Sequence, residues 1–131
     1  MTEGLLDTSV LIDWDDPAVT AALPDTVAIS TISLAELTAG PHLAREPLEK
    51  ARRQSRLQQV ESLFDPLEFD AASARSYGQI VAAVVASGRS HRSRVADLLI
   101  AAVAHSNNVA LYTRNPEDFV GLDTIVTIVA I

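Results

Sequence analysis

Apolar positions along the chain fall into short blocks of two kinds. GLLDT (residues 4–8), TVAIS (26–30) and VALYT (109–113) are compact, aliphatic or β-branched, and bounded by turn formers, which predicts buried strands; TIVTIV (124–129) predicts a last one. Between them the spacing changes to that of helices. SVLIDWDD (9–16) predicts one or two helical turns, and Pro17 suits the first position of a second short helix, PAVTAAL. Pro24-Asp25 marks a turn, and TISLAELTAG (31–40) predicts a helix with Gly40 as its stop. Residues 46–63 are polar on most faces, with apolar Leu48, Ala51, Leu57, Val60 and Leu63, the spacing of an exposed amphipathic helix. FDPLEF (64–69) predicts an extended segment. Residues 70–88 predict a long Ala-rich helix capped by Asp70 and stopped by Gly88. RSHRSR (89–94) is a basic loop. VADLLIAAVAHSNN (95–108) is apolar nearly all round, so its helix is expected to be buried on more than one side. NPEDF (115–119) predicts a helical turn.

Short apolar strands alternating with helices predict an α/β fold, a parallel sheet with helices on both faces. In such folds ligands bind at the carboxyl ends of the strands, which directs attention to the residues that follow them. The 131 residues fit a single domain spanning 1–131, with 48% hydrophobic residues to fill a core. No apolar run approaches ~18 residues without a charge, so no membrane span is expected, and no basic n-region precedes the first apolar stretch. The absence of cysteine excludes disulfides and thiolate chemistry and favours a cytoplasmic setting.

A net charge of −7 argues at first against a nucleic-acid partner, but its distribution changes the picture. Residues 1–44 carry seven acids and no Lys or Arg; residues 45–94 carry six acids and nine bases; residues 95–131 carry four acids and only Arg114. All the bases except Lys50 are Arg, which suits bidentate phosphate contacts, although a compositional bias would give the same preference.

Four carboxylates fall where the strand-end rule points. Asp7 closes the first strand, Glu36 follows the second, Asp97 lies in the apolar helix before VALYT, and Asp118 follows that strand. Each has a structural alternative. Asp7 can cap the first helix. Ser33 and Glu36 have the S-x-x-E spacing of a capping box, although Ser30 or Thr31 is a better-placed cap. Asp118 sits in the first turn of a helix capped by Asn115, with Pro116 first, where acids are favoured anyway. Asp97 is the sole charge in VADLLIAAVA; its alternative is a structural pair with Arg94. Taken together, several carboxylates with few local bases repel one another unless a hard cation intervenes. An all-oxygen set without His or Cys spacing points to Mg²⁺ or Mn²⁺, ions that serve phosphate chemistry.

At these residues the sequence resembles the PIN-domain family, and within it the VapC-type toxins of type II toxin–antitoxin pairs. The resemblance runs through LLDTSVLI, ISTISLAEL, VADLLIAAVA and LYTRNPEDF, in the family's order, over essentially the whole chain. It implies a PIN-like three-layer sandwich around a parallel sheet of about four to five strands. It implies a Mg²⁺- or Mn²⁺-dependent endoribonuclease whose catalytic and metal-binding acids are Asp7, Glu36, Asp97 and Asp118. Ser9 and Thr113 match small hydroxyl positions that support the metal shell. Asn115 matches a position that is sometimes itself acidic, so Asp118 or a water held by Asn115 completes the site. The chain departs from the family in RSHRSR, where many members have a Pro/Gly-containing loop.

Carboxylates cannot hold RNA by themselves. Arg89, Arg92 and Arg94, with His91, are the candidates for RNA contact, because their loop leads directly into the Asp97 helix; a solvated loop is the alternative. The resemblance implies transfer RNA as substrate class, growth inhibition through translation, and a cognate antitoxin. It implies a homodimer or a toxin–antitoxin hetero-oligomer. Leu11, Ile12, Trp14, Leu57, Val60 and Leu63 are plausible docking positions or ordinary core. Receiver domains and haloacid-dehalogenase-like phosphatases also place acids at strand ends, but they need a late lysine, and none follows Lys50. The remaining rival is a catalytically silent PIN-like interaction module.

Overall fold

The computed structural model describes residues 2–131. Its elements run β1 (Glu3–Leu6), α1 (Thr8–Ile12), α2 (Pro17–Ala21), β2 (Thr26–Ala28), α3 (Thr31–Leu43), α4 (Pro47–Leu63), α5 (Ala71–Ala86), α6 (Val95–Ser106), β3 (Ala110–Thr113) and β4 (Ile128–Ala130). Single 3₁₀ turns at Arg92–Arg94 and Pro116–Phe119 precede α6 and follow β3. The strands form one all-parallel sheet in the order β2-β1-β3-β4.

The pleat explains how a four-residue strand serves two cores. Successive side chains of β1 point to opposite faces. Leu5 joins Ile80, Val84, Leu98, Leu111 and Phe119 on the side of α5 and α6, while Leu6 joins Val10, Leu11, Ile29, Leu37, Leu57 and Val60 on the side of α1 to α4. Both leucines are fully buried, worth roughly 1.5–3 kcal/mol each in removed apolar surface. Gly4 is required where it stands: a Cβ there would lie 2.5 Å from two ring carbons of Tyr112 on the neighbouring strand.

Two expectations change, and an open alternative is decided. The helix begun at Thr31 does not stop at Gly40 but runs to Leu43, with Pro41 buried in its last turn. The carbonyls of a last turn have no partner within the helix, and Arg53 of α4 donates to that of Gly40 at 2.9 Å. The last strand is Ile128–Ala130, not TIVTIV. The amides of Ile125 and Val126 both bond the Leu122 carbonyl at 2.9 Å, which makes a turn of the first half of that run. Among the expected docking residues, Leu11, Leu57 and Val60 are core; Ile12 (59% exposed) and Leu63 (55%) remain on the surface, and Trp14 packs edge-on against Phe64.

Candidate active site

Asp7 ends β1 and begins α1 at once. Its amide makes the last ladder bond, to the Tyr112 carbonyl at 2.9 Å, and its Oδ1 caps α1 by accepting from the Thr8 amide at 2.9 Å. The expected cap is therefore real, but it uses one oxygen only. Oδ2 accepts from the hydroxyls of Ser9 at 2.7 Å and Thr113 at 2.8 Å. Those hydroxyls are themselves oriented: Ser9 Oγ accepts from the Arg114 amide at 3.0 Å, and Thr113 Oγ1 from the Asn115 amide at 2.9 Å. Backbone amides only donate, so each leaves its hydroxyl proton to point at Asp7. The Asp7 side chain is buried, yet every group bonded to it is neutral. Three of its roughly four acceptor positions are filled, which leaves one on Oδ1.

Glu36 lies on α3, whose cap is Ser30, with Ser30 Oγ accepting from the Ser33 amide at 3.1 Å. The capping-box alternative for Glu36 is thereby removed. Thr8 Oγ1 instead donates to Glu36 Oε1 at 2.7 Å and lies 2.8 Å from Ser33 Oγ. Thr8 and Ser33 are supporting residues that the sequence reading passed over. Their only signal was indirect: the i, i+3 spacing of Ser33 and Glu36 puts both on one helix face, and Thr8 follows the strand-closing acid.

Asp97 occupies the first turn of α6, three residues after Arg94. Its carboxyl is pushed up to about 7, first by burial, then by the charges of Asp7, Asp118 and Glu36; Arg94 acts the other way. All four acids thus share one electrostatic field. Arg94 pairs with Asp118 rather than Asp97: its Nη1 lies 3.8 Å from Asp118 Oδ1 and donates to the Glu117 carbonyl at 2.6 Å. Asn115 precedes the 3₁₀ turn of Asp118 but makes no side-chain cap bond there. Among the described residues no three acids are drawn together tightly enough to enclose an ion as they stand. The donor set nonetheless fits a hard divalent cation: it is all oxygen, and three of its acids act together on the fourth, Asp97, which burial already raises.

Two depressions flank the acids. One, of about 150 Å³, is lined by Arg89, Ser90, Ser93 and Arg94 together with Asp118. Arg92 is exposed on the 3₁₀ turn and takes no part in it. The other, a groove of about 850 Å³ between α1, α3 and α4, starts at Thr8 and Glu36 and passes Ile12, Leu37, Arg53 and Arg56. Its arginines are internally matched: Arg53 bonds Glu49 at 3.1 Å and Arg56 bonds Asp15 at 2.8 Å. Arg114 fixes the rim from a third side, with Asp13 and Asp16 each at 3.4 Å.

The profile of the PIN domain family matches residues 4–123. Ribonuclease VapC5 of Mycobacterium tuberculosis is 36% identical over 122 residues, 92% of this chain and 87% of that protein. Among solved structures, VapBC-5 of M. tuberculosis, a member of the VapBC family of toxin–antitoxin systems, superposes over 100% of both chains with a TM-score of 0.87 and 34% identity. FitAcB of Neisseria gonorrhoeae covers 96% of each chain with a TM-score of 0.77 and 31% identity.

Proposed function

The chain belongs to the PIN-domain family and is a VapC-type ribonuclease of a toxin–antitoxin system, and from that premise we propose how its residues do the work. Asp7, Asp97, Asp118 and Glu36 would hold Mg²⁺ or Mn²⁺, and the protein hydrolyses RNA, transfer RNA by class, arresting translation and growth when no antitoxin covers the site. The observation that carries this reading is the gathering of four acids from β1, α3, α6 and the turn after β3, with Asp7 held by Thr8, Ser9 and Thr113, Glu36 held by Thr8, and Asp97 raised by burial and by the other three.

A bound divalent cation supplies charge neutralisation on the phosphodiester and makes water acidic enough to attack near neutral pH. The rest falls to the chain. Asp7 offers its remaining Oδ1 position from a carboxylate that Ser9, Thr8 and Thr113 hold in one orientation. Asp97, on the first turn of α6, would hold the cation as a carboxylate. Glu36, turned by Thr8 through Oε1, keeps Oε2 to take the proton of the attacking water. Arg89, Arg92 and Arg94 hold the RNA backbone. Attack by water leaves 5′-phosphate and 3′-hydroxyl ends.

The whole chain works as one PIN-like domain in the cytoplasm, paired with a cognate antitoxin in a homodimeric or hetero-oligomeric toxin–antitoxin assembly. Sequencing RNA 5′ ends after induction tests the reading: a defined set of new 5′-phosphate ends is expected with the wild type and none with Asp97→Asn. Fragments ending in 2′,3′-cyclic phosphate would overturn it.

A further inference from the structure

We propose that Arg94 serves two ligands in turn: it is the internal counter-cation of Asp118 in the free protein and a hydrogen-bond donor to phosphate once RNA enters the adjoining pocket. The inference rests on the reading above that the acids hold a divalent cation.

Three observations meet at this side chain. Its Nη1 lies 3.8 Å from Asp118 Oδ1, with both side chains about one-third exposed, and the Glu117 carbonyl holds the same nitrogen at 2.6 Å. Arg94 thus stands over one acid of the centre while its backbone is fixed at the cap of α6. The guanidinium also lines the pocket of about 150 Å³ with Arg89, Ser90 and Ser93, over an apolar floor of Val84, Leu98 and Val120. Arg89 forms no salt bridge among the described residues. Two guanidiniums and two hydroxyls around a small cavity have the charge and hydrogen-bonding character that an RNA phosphate needs.

The one acid in that wall, Asp118, repels such a phosphate unless it is neutralised. A cation on Asp118 and the Arg94 guanidinium are like charges competing for one carboxylate. Cation binding therefore frees Arg94 for phosphate, and by linkage phosphate binding at Arg94 opens Asp118 to the cation. Removing Arg94 should shift the two affinities in opposite directions, which no purely structural role would do.

Calorimetric titration of the full chain with Mn²⁺, and binding of a labelled hydrolysis-resistant RNA oligonucleotide at saturating Mn²⁺, test this. Arg94→Gln is expected to tighten Mn²⁺ binding about threefold to tenfold, the weight of one partly exposed charge pair. The same variant should weaken RNA binding about fivefold. Arg89→Gln should weaken RNA binding similarly and leave Mn²⁺ affinity within about twofold, since it pairs with no acid. Unchanged or weaker Mn²⁺ binding by Arg94→Gln overturns the proposal, as does equal tightening by Arg89→Gln. A wild type that binds no Mn²⁺ overturns the metal reading itself. Should Arg94→Gln not fold, the wild type decides: the Arg94 Nε–Hε resonance is expected to shift as Mg²⁺ saturates, and an unmoved resonance overturns the role.

Discussion

Asp7 and Asp97 are two aspartates of one acidic centre, held by opposite means. Around Asp7 the chain has built a shell of three neutral donors, and two of them are oriented by backbone amides. Around Asp97 it has built none among the described residues; burial and three other acids push its carboxyl up to about 7. Hydrogen bonds to a carboxylate favour its charge, whereas burial and like charges disfavour it. One half of the centre is thus tied down by hydrogen bonds, and the other carries a penalty that positive charge nearby eases, as Arg94 does in part. A site made wholly of the first kind would gain little from binding an ion, and one wholly of the second would strain the fold.

The contrast is broken most sharply by removing each charge in turn. Asp7→Asn and Asp97→Asn should each lower RNA cleavage by at least about 10³-fold, because each removes a charge from the centre. Their stabilities should move in opposite directions. In either orientation an amide at position 7 presents its N–H₂ group to at least one of the three donors aimed there, costing about 1–2 kcal/mol. An amide at position 97 removes the charge that burial resists, and in chelator at pH 7.5 it should raise the melting temperature by on the order of 5 °C. Paired thermal melts check this; shifts of the same sign would erase the distinction between the two aspartates.

A pH series sharpens it further. Unfolded, Asp97 titrates near 3.8; folded, near 7. Between those values the folded protein keeps a proton that the unfolded chain has released, so this group's contribution to stability falls as pH rises from about 4 to 7 and is constant above. Partial solvent screening brings the loss to on the order of 2 kcal/mol. Melts in chelator from pH 4 to 8 should show this slope in the wild type and not in Asp97→Asn. Saturating Mg²⁺ at pH 7.5 should recover the lost stability in the wild type alone.

How legible each half was follows from the same physics. Asp97 stood out as the only charge in an apolar helix, and Asp7 as a polar break at the end of a leucine pair; both signals are local. The sheet was legible for the same reason, since Leu5 and Leu6 must part to two cores. Thr8 and Ser33 were not legible. A hydroxyl carries no burial signal of its own, and their contact joins residues 25 apart that only the packed α1 and α3 bring together. Gly40 misled because the partner that completes its helix end, Arg53, belongs to the next helix. Leu57 and Val60 were left between docking and core because periodicity identifies an apolar face without saying what covers it; here the sheet-side core does.

Thr8 offers the finest test, because it bonds both Asp7, through its amide, and Glu36, through its hydroxyl. It follows Asp7 directly and donates its hydroxyl to Glu36 Oε1 at 2.7 Å, at the mouth of the 850 Å³ groove. If Glu36 takes a proton from water, its second oxygen must be aimed, and Thr8 is what aims it. Thr8→Val keeps shape and the amide bond to Asp7 but loses the hydroxyl. It should lower kcat about tenfold by leaving Glu36 free to rotate, with little change in KM. Thr8→Ser restores the donor and should restore most of the rate. A merely structural threonine would give another pattern, with both variants losing stability together and neither recovering activity. Rate measurements under RNA saturation, alongside thermal melts of both variants, separate the two. Recovery by serine would place Thr8 with the shell of Asp7 as a positioning residue, extending the preformed half of the centre across to α3.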